Sequence, residues 1–228
     1  MLKMAVVGDC SQGDPALFTK ALDGALGVAD VVVLVGDINS SDHTSYDVVT
    51  ARLAAGKQIL SVPGNHDYDY PAGTTFFASH PKQWRKDFPE AVLIGLDNGQ
   101  DNFGPGWDIL TDYAKNPPGL PLFLFMHKAL SPLILATGVE STHIMGEGGL
   151  SPEAEKLKAW IRTQQDGGWN VTSAHGHYHG SSFMQTSHGA VILEGRGGSQ
   201  GYAGAAVCGY TLIYVQADGW TAHPVDLT

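Results

Sequence analysis

Little in this chain is basic. Thirteen lysines and arginines stand against 23 aspartates and glutamates, a formal net charge of −10, with no Lys/Arg-rich run anywhere. Binding along a nucleic-acid strand needs clustered cations, so long nucleic acid is not an expected partner. Cysteine is almost absent. Cys10 and Cys208 form no CxxC pair and no disulfide framework, which favours reduced thiols in a cytosolic setting. Long apolar runs are missing too: segments such as GLPLFLFM fall far short of the roughly 20 residues of a membrane span. The opening MLKMAVVGD passes straight into a strand-like segment and leaves no room for a signal peptide. These features predict a cytoplasmic protein with no membrane partner.

Glycine is plentiful, with 29 among 228 residues, about 13% against a usual ~7%. Such an excess suits tight turns that bring side chains together at strand ends. Hydrophobic residues make up 43%, enough for a packed core. No linker and no internal repeat interrupts the chain, so residues 1–228 read as a single domain.

The first two-thirds alternate short apolar runs with amphipathic segments. Residues 3–9, 29–37, 57–65, 90–98 and 120–128 predict strands, the second continuous and β-branched as expected when both faces are covered. Residues 14–26, 45–55 and 151–165 predict helices, with Asp14-Pro15 and Ser151-Pro152 as cap and first-turn pairs. The remainder, 170–227, reads as strands and turns. A βα-alternating start with an all-β finish predicts an α/β core sheet against a second, more antiparallel sheet. Residues 68–89, 98–119 and 128–150 read as long mixed loops, a length that often carries function.

Each early strand stops on a polar signal: GDCS, GDIN, GNHD, MHK and GHYH. The carboxyl ends of parallel strands gather at one edge of a sheet, where ligands bind. Asp9, Asp37, Asn65, His66, Asp67, His127, His177 and His179 are therefore expected to converge. Carboxylates, an amide oxygen and imidazoles together suit Mn²⁺, Fe or Zn²⁺. Six ligands exceed the usual share of one catalytic ion. They fit two ions about 3.5–4 Å apart with a bridging carboxylate, an arrangement that acidifies a shared water for attack on phosphorus.

The ordered run GD, GD, GNHD, MH and GHxH resembles the calcineurin-like metallophosphoesterases, over Asp9 to His179. The resemblance implies an α/β fold, a four-layer αββα sandwich of two packed mixed β-sheets flanked by helices. It implies two divalent metal ions, Mn²⁺ foremost, with Fe, Zn²⁺ or Ni²⁺ as other occupants. By position, Asp37 would bridge the ions, Asp9 and His179 would hold one, and Asn65, His127 and His177 the other. His66 would protonate the leaving oxygen and Asp67 would orient it. The implied substrate is a small phosphomonoester or phosphodiester, attacked by a hydroxide bridging the metals. One position departs: the family's D-x-H histidine is Ser11 here, a poor ligand that Gln12 could supplement. A non-catalytic or single-metal scaffold that binds proteins is the alternative reading.

Other features have plainer expectations. His175 belongs to its strand, as a core residue or a neighbour of the ligands. His43, His80, His188 and His223 are surface or structural positions, and His143 is a candidate for lining a substrate pocket. Arg196 is a solvated turn residue or else a phosphate ligand. The G-x-S-x-G match at Ser199, followed by Asp218 and His223, lacks the helix a nucleophile elbow requires. HGHYHG lacks the aspartate of the metallo-β-lactamase motif and comes late in the chain.

Overall fold

The computed structural model describes residues 1–9, 14–38, 44–134, 140–141, 144–146, 151–187, 189–200, 206–216 and 218–227. In chain order the elements are β1 (Leu2–Val7), α1 (Pro15–Val28), β2 (Val31–Val35), α2 (Thr44–Ala54), β3 (Ile59–Val62), α3 (His66–Asp69), α4 (Pro71–Ser79), β4 (Trp84–Asp87), β5 (Val92–Gly95) and α5 (Gly106–Lys115). They continue with β6 (Leu122–Met126), the short pair β7 (Leu133–Ile134) and β8 (Glu140–Ser141), α6 (Pro152–Asp166), β9 (Val171–His175) and β10 (Ser181–Thr186). β11 (Gly189–Glu194), β12 (Gly197–Gln200), β13 (Ala206–Gln216) and β14 (Gly219–Asp226) complete the chain.

Two six-stranded sheets organise these elements. The first runs β12-β13-β1-β2-β3, with β14 also paired to β13; the second runs β10-β11-β9-β6-β5-β4. In the first sheet β1, β2 and β3 are parallel and β13 is antiparallel to β1. In the second, β5, β6, β9 and β11 are parallel, and β4 and β10 close its edges antiparallel. The expected division of the chain is thus only half correct. The all-β tail does not form the second sheet: β9–β11 join β4–β6, while β12–β14 return to the first sheet.

The central strands of both sheets are buried on both faces, which explains their unbroken apolar runs. Ala5, Val7, Val32 and Leu34 pack with Phe18 and Leu22 of α1, Tyr46 and Val49 of α2 and Phe76 and Phe77 of α4. The alternate residues Met4, Val6, Val33 and Val35 meet Phe123, Phe125 and Ile192 of the other sheet. Beyond that sheet, Leu124 and Met126 pack with Leu110 and Tyr113 of α5 and Leu157 and Ile161 of α6. The order is therefore helix, sheet, sheet, helix. As expected, Asp14 caps α1 through the Ala16 amide at 2.8 Å and Ser151 caps α6 through the Ala154 amide at 3.3 Å.

The expected loops 68–89 and 98–119 instead contain α4, β4 and α5. Neither helix has a side-chain cap, and Gly73, Thr74 and Thr75 are weak helix formers. Burial of Phe76, Phe77, Leu110 and Tyr113 stabilises them.

Candidate metal centre

The carboxyl ends of β1, β2, β3, β6 and β9 bring Asp9, Asp37, Asn65, His66, Asp67, His127 and His177 to one edge of the sandwich. Among the described residues four non-glycine positions have positive φ, and three are Asp9 (56°), Asp37 (52°) and His177 (60°). This conformation costs an L-residue about 1–2 kcal/mol, and such strain gathers at functional sites. Each follows a strand and a glycine, and the turn aims its side chain back across the sheet edge. All three of those glycines are needed for closeness, and a Cβ on Gly8 would stand 2.4 Å from the Glu194 carbonyl. Gly36 has φ +90°, and a Cβ there would stand 2.6 Å from His127 Nδ1; one on Gly176 would stand 2.6 Å from the Val35 carbonyl and 2.9 Å from Asp9 Oδ2.

The centre is built around His127, which is fully buried. Its Nδ1–H donates to the Val35 carbonyl at 2.8 Å, leaving Nε2 as the lone-pair nitrogen of the neutral ring. Nε2 faces Asn65 Oδ1 and His177 Nδ1, each at 3.0 Å, and Asp37 Oδ2 at 3.4 Å. One proton cannot serve so many acceptors, and a cation at their centre can. The ligand atoms of Asp37, His127 and His177 all lie within 4.8 Å of one another.

Asp9 lies beside this group, buried, and among the described residues neither carboxylate oxygen has a partner in good hydrogen-bonding geometry, the His177 amide alone lying near enough to act on it. An unmatched buried carboxylate is costly. Burial drives its pKa well above the carboxylate range; His127 opposes this, and Asp37 and Glu194 add to it. Burial also acts on Asp37, but the adjacent His127, with His66 and His177, outweighs it and holds that carboxyl at about 2. For His127, burial lowers the pKa while Asp37 and Asp9 raise it, to about 9. A fixed divalent cation would satisfy Asp9 and replace the proton on His127, so these residues fit a metal.

His66 begins α3, its backbone N–H donating to Asp37 Oδ1 at 3.0 Å. The partner of its ring is not Asp67, as the sequence suggests, but Asp69, whose Oδ2 lies 3.1 Å from Nδ1. Asp67 is buried underneath and accepts from the amides of Asp37 (2.9 Å), Ile38 (3.1 Å) and Gly64 (2.7 Å) and from the Tyr46 hydroxyl. Position i+1 of so short a helix turns inward, whereas i+3 returns to the face of His66. Asp67 therefore clasps the two loops that carry Asp37 and Asn65.

His179 is part-exposed and outside the three-residue group. His175 is buried, with Nδ1 3.1 Å from the Lys128 carbonyl and Nε2 2.9 Å from Ser173 Oγ. Arg196 is neither a solvated turn residue nor free to bind phosphate. It is buried, forked onto Glu194 through Nε (3.0 Å) and Nη2 (2.6 Å), and bonded to the Tyr210 carbonyl and Asp226. Ser199 lies in β12, followed by β13 rather than a helix. Ser11, Gln12, His43, His143 and His188 lie outside the described residues.

The sequence reading missed Asn98. Buried after β5, its Oδ1 accepts the amides of His127 and Lys128 at 3.0 Å and its Nδ2 donates to the Lys128 carbonyl at 2.8 Å. Asn98 fixes the loop that presents His127. A polar residue after an apolar strand, the signal used for the others, also marks it.

A helix-flanked double sheet with buried carboxylates and imidazoles at its strand ends defines the metallophosphoesterase class. The chain belongs to the calcineurin-like phosphoesterase family, whose model matches residues 2–217. Among solved structures, GAP50, described as the anchor in the inner membrane complex of Plasmodium, is similar at 12% identity over 99% of this chain and 84% of its own, with a TM-score of 0.66. A hypothetical protein from Thermus thermophilus is similar at 13% identity over 100% of both chains, with a TM-score of 0.57. At such identities these likenesses establish the fold. No curated protein sequence matches this chain. Among the described residues no helix is long and apolar enough to cross a membrane.

Proposed function

We propose that the protein is a metal-dependent phosphoesterase acting on a small phosphomonoester or phosphodiester. The carrying observation is the buried, unmatched Asp9 carboxylate beside the Asp37–His127–His177 group. In this reading Asp37 would be shared by two divalent ions, Asp9 and His179 would help to hold one, and Asn65, His127 and His177 would hold the other. Mn²⁺, Fe or Zn²⁺ suits that mixture of donors. Bound there, the metal supplies an acidified water and offsets charge on the phosphoryl oxygens.

The rest is done by the chain. The Asn98 and Val35 contacts hold His127 with Nε2 toward the site. His66 is the general acid: its side chain is 30% exposed, and Asp69 holds Nδ1, leaving Nε2 available to the leaving oxygen. A net charge of −10 disfavours long polyanions, so the metal must supply the local attraction for one phosphate group. The absence of basic clusters favours a nucleotide-sized or smaller ester, and the reduced-thiol reading favours a cytoplasmic setting.

A second reading, a protein-binding scaffold on the same fold, draws support from GAP50, whose description is that of an anchor. One experiment separates the two. Metal content is measured after purification, then hydrolysis of p-nitrophenyl phosphate and bis-p-nitrophenyl phosphate with Mn²⁺ and with chelator. Metal-dependent turnover is expected, abolished in Asp37→Asn, and in His66→Ala reduced about 10²–10⁴-fold with metal retained. No turnover with any divalent metal, together with unchanged stability after chelation, would leave the scaffold reading.

A further inference from the structure

Asn65 and His66 reach the metal centre at the start of α3, a single turn with no side-chain cap and too short to hold its own shape. Asp67 ties that turn to the loop after β2. A second set of contacts comes from the turn after β5, the one that also carries Asn98. The Tyr68 hydroxyl donates to Asp97 Oδ2, and Asp97 Oδ1 accepts the Gly99 amide at 3.3 Å. Lys82 Nζ stands 4.5 Å from the centre of the Tyr68 ring, a cation–π contact that helps to fix the ring. Gly99 lets the two segments touch. A Cβ there would stand 2.7 Å from the Gly64 carbonyl, in the peptide bond to Asn65, and 3.0 Å from Tyr68 Cε2.

These contacts cross between the sheets. β3, which leads into Asn65, belongs to the first sheet, and β5 and β6 belong to the second. The metal centre crosses in the same place, with Asn65 Oδ1 3.0 Å from His127 Nε2. Asp97 and Gly99 meet the segment that carries Asn65 and His66, while Asn98 between them accepts the backbone amides of His127 and Lys128. Three consecutive residues thus grip both sides of the centre, and none of them is among its grouped ligands.

We infer that Tyr68 and Asp97 are positioning residues: their bond fixes α3 against the β5 turn and so sets Asn65 and His66 at their distance from His127. The Tyr68 proton is committed to Asp97, so the hydroxyl acts on α3 rather than on a substrate. The consequences for metal and ester rest on the function proposed above; the restraint on α3 does not.

Three variants of the full chain test this. Tyr68→Phe removes the bond and keeps the ring, Asp97→Ala removes the acceptor, and Asp97→Asn can still bond both neighbours through Nδ2 and Oδ1. Residue-resolved hydrogen exchange of the metal-free protein reads the restraint. The His66 and Tyr68 amides donate to Asp37 Oδ1 (3.0 Å) and the Asn65 carbonyl (3.1 Å). Both are expected to exchange about tenfold faster in Tyr68→Phe and Asp97→Ala, with the amides of the central strands at wild-type rates. Mn²⁺ affinity by calorimetric titration, and kcat for p-nitrophenyl phosphate, should fall about 10–100-fold with KM little changed. Asp97→Asn should recover most of both losses. Unchanged exchange at His66 and Tyr68 overturns the inference, and so does faster exchange spread over the whole chain, which would make the bond a matter of general stability. Lower turnover with exchange and affinity unchanged overturns it too, placing Tyr68 on the substrate itself. If the wild type binds no Mn²⁺ and cleaves no ester, the functional reading falls, and the exchange rates still decide whether Tyr68 and Asp97 hold α3.

Discussion

Asp9 and Asp67 are both buried carboxylates whose pKa burial raises, that of Asp67 to about 6, but they differ in hydrogen bonding. Among the described residues Asp9 has no well-formed hydrogen bond, and burial sets its folded-state pKa above the unfolded value. Such a group contributes stability below the unfolded pKa of about 3.9, which is lost as pH rises through the folded pKa. Asp9→Asn is therefore expected to raise the stability of the metal-free protein near neutral pH by about 1–3 kcal/mol while weakening metal binding. Thermal melts with and without chelator give both readings. Asp67 accepts four donors from three segments, so Asp67→Asn is expected to cost about 1–3 kcal/mol and to loosen the metal loops. Asp69, with its side chain 59% exposed, marks the contrast. Asp69→Asn should change stability by less than about 0.5 kcal/mol yet lower turnover severalfold through His66. Paired melts and kinetics separate the clasp from the orienting group.

At the scale of elements, strand ends do the positioning and the glycine turns make it possible. Gly36→Ala would force an L-residue to φ +90° and press a Cβ toward His127 Nδ1 and the Gly64 backbone. A loss of about 1–2 kcal/mol from the backbone alone, together with weakened metal binding, is the expected outcome in melts and metal titration. Gly27, in helix α1 with nothing within 4 Å of its would-be Cβ, should respond oppositely. Gly27→Ala should stabilise by about 0.5–1 kcal/mol and leave metal binding unchanged. The strong strands and the capped helices α1 and α6 were legible because periodicity, β-branching and caps are local properties. Helices α4 and α5 were not: they lack side-chain caps and persist because Phe76, Phe77, Leu110 and Tyr113 find cores to enter. The same limit hid the division of the tail, since β11 and β13 are both apolar strands and pairing alone assigns them to different sheets.

For the molecule as a whole, metal and protons should compete for one centre. In the metal-free protein burial lowers the His127 pKa but Asp37 and Asp9 outweigh it and push it up to about 9, which favours a ring proton that a metal must displace. Metal affinity should rise with pH up to about 9, by about tenfold per pH unit for each proton released. Calorimetric titration in buffers of different ionisation enthalpy measures that release directly, and binding without proton uptake by the buffer would contradict it.

By itself, the sequence determined which residue types stand at the strand ends and in what order. That order set the family and made convergence at the carboxyl edge predictable, because parallel strands point the same way. Only the tertiary structure decided which of them meet. Asp37, Asn65, His127 and His177 surround one point, Asp67 turns under the loops, Asp69 takes the place behind His66, and Arg196 is locked onto Glu194. Those outcomes depend on the turn after each strand and on the partners the packed sheets bring within hydrogen-bonding distance, and neither is a local property of the chain.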